Sequence, residues 1–555
     1  MKKNIAFVLL VVLVMFASCS KETINSKPVQ YVGPEIVYGN SVFIIDAVNR
    51  LYTYLPDGYN RLGGNSMVAS ATDEAVHATR NSEAELWGTG SWGTTPSTLR
   101  DDAFAKSYTG IRATYVYTEE IDPNIIDGVM SKDDRDANYG QAIFIRALLN
   151  FELLKRYGGY PIVKHALKAD EDLNIPKSSY DECVKYISDL CDEAQAVLKV
   201  SYSAAGDFGR ATKGAAMALK ARLLLYAASP LNNPSNDITK WQAAAAASAA
   251  IINLESGGTK VYDLYTGGSG YDAFFNTLSG NKEIIFSKIE TNSNTYERLN
   301  GPVSITGGEG GTNPTLDLVN AYEMIDGTPF DWNNPNHAAD PFANRDPRFA
   351  KSILFNGSKW MNNTTIETFE GGKDKVGNKA TRTGFYLRKF LSVNARWNAP
   401  VGTANHSFPL FRYGEVLLNY AEAMNEAYGP DDPATYGMTA RQAIALIRTR
   451  AGLTANQTVP TANDKATMRE AIHHERRIEL AFEEHRQLDL RRWKTAEQVL
   501  NQPVHGLKII KDADGTFTYT PEVVEERVFQ SKMYLYPFPQ GEISRNPSLV
   551  QNMGW

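Results

Sequence analysis

The sequence predicts a mostly α-helical protein in which paired helices carry a loop-rich middle segment with short strands. Apolar residues recur with a helical period through most of residues 41–255. Between residues 256 and 409 the pattern changes to short strand-like runs separated by glycine, asparagine and proline. The helical period returns at residue 410 and continues toward the C-terminus. We therefore expect one body, 41–555, with a helical part (41–255), a loop-rich part (256–409) and a final helical part (410–555).

Helices of the first part carry alanine-rich faces that allow close helix packing. In 213–228, for example, Ala215, Ala218 and Ala221 stand together with Leu219 and Leu223. Antiparallel helix pairs joined by short turns are typical of helical-repeat scaffolds, in which neighbouring pairs build one continuous core. The predicted helices are 42–55, 104–121, 139–157, 180–198, 213–228 and 241–253.

The loop-rich part contains strand-like runs at 283–289, 349–354 and 385–390, with a glycine-rich stretch at 307–311. The final part is predicted to hold helices at 410–428, 439–451 and 465–500, followed by an extended segment at 534–536. Charged residues of the helix 465–500 stand three and four positions apart, which predicts ion pairs along that helix. These residues are Glu475, Arg476, Glu479, Arg486, Asp489, Arg491 and Arg492.

The N-terminus has the pattern of a lipoprotein signal. Lys2 and Lys3 precede an apolar run, 5–16, that is too short to span a bilayer and ends at Ala17-Ser18-Cys19. We expect residues 1–18 to be a signal peptide, Cys19 to carry lipid, and 19–40 to be a tether without regular structure. Two acyl chains would hold the protein stably on a membrane. The alternative is an ordinary secretory signal followed by an incidental cysteine.

The composition limits the classes of partner. The formal net charge is −6 and charged residues make up 22% of the chain, so no basic face for nucleic acid is expected. The 28 tyrosines and 8 tryptophans are amphipathic rings that serve either as core or as platforms for ligands. Cys183 and Cys191 stand eight helical residues apart, too far for a disulfide, and are expected to be packed thiols.

Four stretches of the sequence carry recognisable motifs, and the third combines three short motifs of the final helical part. The stretches are 140–161 (GQAIFIRALLNFELLKRYGGYP), 213–231 (KGAAMALKARLLLYAASPL), the set 411–415, 419–423 and 475–493, and 534–555 (YLYPFPQGEISRNPSLVQNMGW). Read together, they resemble the SusD/RagB family of nutrient-binding outer-membrane lipoproteins of Bacteroidetes. They occur in the family's order and extend to the last residue.

The resemblance implies a fold and a role. The fold would be a SusD-like body with tetratricopeptide-like helical hairpins. The role would be capture of oligosaccharide or polysaccharide at the cell exterior and its delivery to a SusC-like TonB-dependent transporter in the outer membrane. This role needs no cofactor and no catalysis.

Motifs for catalysis are missing from the sequence. His474-Glu475-Arg476-Arg477-Ile478 lacks the second histidine of the zinc-protease pattern, and no Gly-x-Ser-x-Gly elbow occurs. We therefore expect a protein that is not an enzyme. A surface polysaccharide hydrolase or lyase remains an alternative, because many acidic residues are present, and so does a helical-repeat scaffold without a ligand.

Aromatic residues in polar loops are the signal for sugar binding, because an indole or phenol ring can stack on the apolar face of a sugar. Trp87 and Trp92 lie in a glycine-rich loop, with the hydrogen-bonding residues Asp73, Arg80 and Asn81 close in sequence. The family places ligand aromatics in an early loop of this kind, so these five residues are our first candidates. The alternative is that the tryptophans are buried anchors of the loop.

The loop-rich part supplies the second group of candidates. It has aromatic residues among asparagine, glycine and proline, with an arginine nearby, and burial is again the alternative for each ring. The candidates are Tyr296, Trp332, Trp360, Arg388 and Trp397.

A cluster of oxygen ligands in 325–341 could hold a structural calcium ion. It consists of Asp326, Asp331, Asn333 and Asp340. Their spacing matches no calcium-binding loop, so the alternative is an acidic loop rich in turns.

Overall fold

The structure is a computed structural model that describes residues 38–59, 62, 66–120, 128–267, 271–278, 280–377, 380–398, 401–453 and 461–555. The predicted signal peptide, Cys19 and nearly all of the predicted tether lie outside these ranges. Among the helices of the described residues, none is long and apolar enough to cross a membrane.

Helices dominate up to residue 252, as the apolar periodicity predicts, and their bounds agree with the predicted ones within a few residues at most ends. The largest difference is in the helix that was predicted to begin at residue 139. It begins at Lys132, because Ser131 caps it there by accepting the backbone N–H of Asp134. The helices are α1 Ser41–Leu51, α2 Glu83–Gly88, α3 Phe104–Glu120, α4 Lys132–Tyr157, α5 Tyr180–Val197, α6 Lys213–Ala228 and α7 Ile238–Ile252.

These helices pack on their neighbours along the chain: α3 on α4, α4 on α5, α5 on α6 and α6 on α7. The packing is close because α6 presents Ala215, Ala218 and Ala221, all buried, to its neighbours. Cys183 and Cys191 are buried and unbridged on α5, which confirms that they are packed thiols.

A long antiparallel ribbon is the main regular element of the middle part. Strand β4 pairs with β10, and Phe408 faces Lys288 in its register. The strands up to this ribbon are β1 Ala75–His77, β2 Glu255–Ser256, β3 Thr259–Lys260, β4 Ile284–Ser293, β5 Thr312–Pro314, β6 Ile353–Leu354, β7 Lys359–Trp360, β8 Thr364–Thr365, β9 Tyr386–Leu387 and β10 Ala404–Arg412. The paired strands are β1 with β5, β2 with β3, β6 with β9 and β7 with β8.

Short helices also occur in this part, and one of them corrects a prediction. The run 349–354 was expected to be a strand, but most of it belongs to a helix that Asp346 caps and Pro347 begins. Only Ile353 and Leu354 are extended. The helices are α8 Tyr271–Phe274, α9 Thr295–Asn300, α10 Leu316–Ala321, α11 Pro335–Ala339 and α12 Pro347–Ser352.

Strand β10 continues to Arg412, so the helix predicted at 410–428 begins at Tyr413, three residues after its predicted start. The hairpin of β11 and β12 was not predicted. The helices are α13 Tyr413–Ala427, α14 Ala440–Ala451, α15 Lys465–Glu479, α16 Arg486–Arg492, α17 Ala496–Val499 and α18 Gln540–Arg545, and the strands are β11 Val504–Lys511 and β12 Phe517–Glu525. Short 3-10 turns occur at Tyr52–Tyr54, Val68–Ala71, Ala205–Asp207, Met361–Asn363 and Ser531–Tyr534.

The prediction of a single charged helix at 465–500 is wrong, because this segment forms the three shorter helices α15, α16 and α17. The chain turns sharply after α15, where Phe482 and Glu484 adopt φ values of 66° and 63°. Most charges of this region therefore pair with residues beyond their own helix: Arg476 meets Asp489 across the turn at 2.7 Å. An i,i+3 pair within one helix is found between Arg492 and Asp489, at 2.8 Å.

A cluster of buried charges joins the middle part to the final helices. Arg412 donates to Glu283 at 2.8 Å, to Glu479 at 2.8 Å and to Glu483 at 2.7 Å. Arg348 of α12 reaches Glu479 from another side at 3.0 Å. Burial alone would raise the pKa of Glu479, but the surrounding arginines outweigh it and hold this pKa well below its usual range. The cluster is therefore a set of mutually dependent ions.

Glu74 is a buried carboxyl group of a different kind. Its Oε2 accepts the backbone N–H of Phe482 at 3.3 Å. Burial, followed by the neighbouring Asp73, raises the pKa of Glu74 to about 8, so the folded protein holds its proton at neutral pH. Between the unfolded pKa of about 4.3 and this raised value, the folded state binds more protons than the unfolded state. The free energy of unfolding should therefore fall as pH rises through this interval.

We expect Arg412→Met to lower the free energy of unfolding by about 3–5 kcal/mol, because three buried carboxylates lose their shared cation. The measurement is the shift of the urea unfolding midpoint. The matched control is Arg545→Met, whose pair with Glu542 is exposed and should contribute about 0–1 kcal/mol. Equal effects of the two substitutions would contradict the role given to Arg412.

We expect Glu74→Gln to raise the free energy of unfolding near pH 8 by about 1–3 kcal/mol, because the amide needs no proton to stay neutral. The variant should also lose part of the decline in stability between about pH 5 and pH 8. Urea unfolding across this pH range measures both effects, with the exposed Glu497→Gln as control. A decline identical to that of the wild type would show that Glu74 does not titrate as described.

Candidate functional site

Two loops beside the β4–β10 ribbon form the surface that we call the loop face, 301–311 and 392–402 as far as described. Trp397 joins them, since its indole N–H donates to the carbonyl oxygen of Thr306 at 2.8 Å. Its ring lies against Gly301, where a Cβ atom would stand only 2.6 Å from the ring. The indole is half-buried. Val393 and Val401, which are 47% and 70% exposed, add apolar surface in the same loop.

The loop 301–311 is fixed by backbone hydrogen bonds to α9 and within itself. The N–H groups of Glu309 and Gly311 donate to the carbonyl oxygens of residues 298 and 299 of α9 at 2.9 and 2.7 Å, and that of Gly310 donates to Gly301 at 3.0 Å. Gly307 and Gly310 have φ values of 91° and 61°, which glycine adopts without steric cost. The glycine-rich run seen in the sequence therefore folds back over α9, with Gly307 exposed and Gly310 and Gly311 buried.

Side chains of α9 and its cap hold the other loop. Asn294 donates to the carbonyl oxygens of Arg396, at 2.9 Å, and Gly402, at 3.2 Å. Glu297, fully buried, accepts the N–H of Ser392 and the ring nitrogen of His406, both at 2.8 Å. Trp397 thus stands on a loop whose two ends are tied to the same helix.

The early segment 78–85 adjoins this surface, because β1 pairs with β5 and the N–H of Ala78 continues the ladder to Gly311 at 2.8 Å. Arg80 is exposed and lies 3.7 Å from Glu85. Asn81, with a φ of 57°, donates its backbone N–H to the same carboxylate. Two sequence candidates are therefore brought beside the loop 301–311.

Two further polar residues of this surface were missed by the sequence reasoning. Arg298 and Glu309 form an ion pair in which their side chains are 40% and 50% exposed. Nothing in their local sequence distinguishes them from other surface charges, although Glu309 lies inside the glycine-rich run. His77 lies nearby and is buried, which lowers its pKa, so its ring is neutral at pH 7.

Trp87 and Trp92 lie in the core. They are 4% and 7% exposed and pack edge to face with ring centroids 6.1 Å apart. Both rings also contact Tyr536, and Trp92 contacts Trp555 at 4.7 Å. In this conformation neither indole has a free face for a sugar, and both anchor the C-terminal segment. A ligand contact by these tryptophans stays a prediction that the structure does not support.

Asp73 is also internal. Its carboxylate lies 2.8 Å from both Arg477 and Arg486. Burial alone would raise the pKa of Asp73, but the two guanidinium groups outweigh it and hold the pKa well below its usual range. Its evident role is to join the early segment to the helices α15 and α16.

The remaining candidates are mostly enclosed. Tyr296 is 3% exposed, and its ring centroid lies 4.1 Å from that of Tyr59. Trp360 is 4% exposed, with the Arg388 guanidinium 5.9 Å from its ring centroid. Trp332 is half-buried and packs on Phe330 at 5.1 Å. Of the tryptophans predicted to bind a ligand, Trp397 and Trp332 therefore keep partly exposed rings.

The oxygen cluster predicted for calcium is a series of local turns. Asp326 accepts the N–H of Thr328 at 3.0 Å, and Asp331 accepts that of Asn333 at 2.8 Å. Asp340 accepts the N–H of Phe342 at 3.3 Å. Within the described ranges no group of three or more His, Cys, Asp or Glu side chains is arranged to hold a metal ion.

Comparisons with known proteins agree on one family. The SusD family model matches residues 282–555, and a model described as starch-binding associating with outer membrane matches residues 46–225. SusD-like protein P25 of Formosa agariphila is 23% identical, over 96% of this chain and 95% of its own length.

Solved structures give the same result. A SusD-like protein from Bacteroides fragilis has a TM-score of 0.79 at 26% identity, covering 96% of this chain and 100% of that one. A SusD-like carbohydrate-binding protein from the same species has a TM-score of 0.76 at 26% identity, covering 93% and 100%. The family models, the full-length relative and the fold lead to one conclusion: this chain belongs to the SusD/RagB family.

Proposed function

We propose that this chain captures a glycan on its loop face and delivers it to a SusC-like TonB-dependent transporter. The observation that carries the proposal is the half-buried indole of Trp397, held by Thr306 in a loop that also exposes two valines. A ring in this setting can stack on the apolar face of a sugar, because its position is already fixed before the ligand arrives.

Polar side chains of α9, the loop 301–311 and the adjoining early segment can pair with the hydroxyl groups of a sugar. Arg80 and Arg298 are donors, and Glu85 and Glu309 are acceptors. Gly307 is exposed and has no side chain, so a ligand can approach the backbone closely at that position. Opposite charges of this surface are paired with each other, which suits a neutral ligand with many hydroxyl groups.

The expected affinity is modest. One stacked ring and several hydrogen bonds correspond to dissociation constants in the micromolar to millimolar range, or about −8 to −4 kcal/mol. This range suits a protein that must release its ligand to a transporter.

A surface hydrolase or lyase is the less favoured function. A glycosidase uses two carboxyl groups across the scissile bond, one of which must hold a proton. On and beside the loop face, Glu309 is paired with Arg298, and Glu85 lies within 4 Å of Arg80 and Arg382. Both glutamates are therefore engaged by arginine side chains.

The cellular setting belongs to the same proposal. We infer that lipid on Cys19 holds the chain on the outer membrane, facing the exterior, with residues up to 40 as a tether. Support comes from the signal-like N-terminus and from the matching family model described as associating with the outer membrane. Diacylation would supply the anchor that no described helix supplies.

We expect Trp397→Ala to weaken glycan binding about tenfold or more, because a stacked ring contributes on the order of 1–2 kcal/mol. Affinity electrophoresis of the chain lacking residues 1–19 is the measurement, against glucans, fructans, xylans, mannans and pectins. Trp397→Phe should restore part of the affinity, because it keeps a ring but loses the bond to Thr306.

The matched control is Trp332→Ala, which removes another half-buried indole of the loop-rich part. It should leave the affinity within about twofold of the wild type, a free-energy change of less than about 0.5 kcal/mol. Unchanged binding by Trp397→Ala, or an equal loss in the Trp332 variant, would argue against the loop face as the site.

A further inference from the structure

A second concave surface lies between β11 and the loop 368–376. We call it the hairpin groove; its volume is about 400 Å³, and Thr368, Glu370, Lys375, Arg382, Lys508 and Glu522 supply its polar lining. The loop is fastened to the strand, since the N–H of Glu370 donates to the carbonyl oxygen of Ile509 at 2.8 Å. Gly371, with a φ of 89°, leaves open space on its Cβ side.

Two lining residues have buried polar atoms without a hydrogen-bond partner in the described part of the chain, the Nε of Arg382 and the Oγ1 of Thr368. The other guanidinium nitrogens of Arg382 donate to the carbonyl oxygens of His77 and Val524, each at 3.1 Å. Both atoms are enclosed by protein, so a ligand in the groove meets the exposed polar side chains of the lining and not these two atoms.

The charges of the lining are nearly balanced. Lys508 lies 3.0 Å from Glu370, and Glu370 and then Glu522 raise its pKa. Arg382 has Glu525 at 2.9 Å behind it, whereas Lys375 is exposed on the loop. The groove thus carries both donors and acceptors, and an anionic ligand would meet the carboxylates of Glu370 and Glu522. A neutral molecule with many hydroxyl groups can pair with both kinds of group.

The groove adjoins the loop face. Asp374 of the groove loop accepts the N–H of Ser304 at 2.8 Å, and Ser304 belongs to the loop on which Trp397 packs. None of the described lining residues of the groove is aromatic. Recognition there would rest on hydrogen bonds and on the side chains of Val376 and Val524, in contrast to stacking at Trp397.

We propose that the hairpin groove is a second subsite, which takes a neutral, hydroxyl-rich sugar unit by hydrogen bonding. The choice of a sugar as the ligand depends on the proposed glycan capture. The existence of the groove and its polar lining does not depend on that proposal. A glycan long enough to cross the loop 301–311 would contact both Trp397 and the hairpin groove. The groove would therefore favour the binding of polymers over that of short fragments.

The first test is a crystal structure of the chain lacking residues 1–19, soaked separately with glucose, galactose, mannose, xylose and glucuronate. We expect a neutral sugar in the groove with hydroxyl groups within hydrogen-bond distance of Lys508 and Glu370. A groove that stays empty with all of these sugars, or that takes only glucuronate, overturns the proposal.

The second test measures solution binding of the Lys508→Met, Lys375→Met double variant by affinity electrophoresis in the same polysaccharides. We expect affinity to fall about threefold to tenfold, the effect of losing one or two hydrogen bonds. The control is Lys373→Met, an exposed lysine of the same loop that does not line the groove, and it should bind like the wild type.

The outcomes separate this proposal from glycan capture. A sugar seen in the crystal together with unchanged binding by the double variant means binding at crystal concentration only, and overturns the subsite. Loss of binding in Trp397→Ala but not in the double variant leaves glycan capture intact and removes the subsite. If the wild type binds no polysaccharide, glycan capture fails, and the soaked crystals still decide the groove.

Discussion

The buried guanidinium of Arg412 is the interaction on which the arrangement of this protein most depends. It lies where the β4–β10 ribbon gives way to α13, and it holds carboxylates from both sides of that junction. Each of its partners is also bound by another cation, as Glu479 is by Arg348. A buried ion is tolerated only when opposite charges surround it. The cluster therefore limits how the ribbon can pack against the final helices. The ion cluster thus specifies how a loop-rich segment is mounted on a helical body.

That mounting explains how a surface made of loops can be prepared for a ligand. The loop face has almost no regular secondary structure of its own, yet Glu297 and Asn294 hold the loop that carries Trp397 at both ends. These loops are therefore ordered when the protein folds, so ligand binding loses little additional conformational entropy. The hairpin groove shares a loop with this surface through Asp374 and Ser304, so both regions depend on the same scaffold.

Local sequence was sufficient where local physics decides the outcome. The helix Lys213–Ala228 has its predicted bounds, because its periodic apolar residues and its threonine cap lie within the segment. The predicted helix 465–500 failed because tertiary partners impose a turn at Phe482 that the periodicity hides. The burial of Trp87 and Trp92, which the sequence left as an alternative, depends on a distant partner in the same way: Tyr536, which packs on both rings, lies more than four hundred residues away. Trp397 resembles the other loop tryptophans in sequence, and only the fold separates it from them.

The central claim is capture of a glycan without chemistry on it. The most direct measurement incubates the chain lacking residues 1–19 with each polysaccharide of the panel and follows retention and product release in the same sample. Our account predicts retention by at least one neutral glycan whose chain length stays unchanged. Shortened products would contradict it and support a hydrolase or lyase, and the absence of retention by every glycan would favour a scaffold without a sugar ligand.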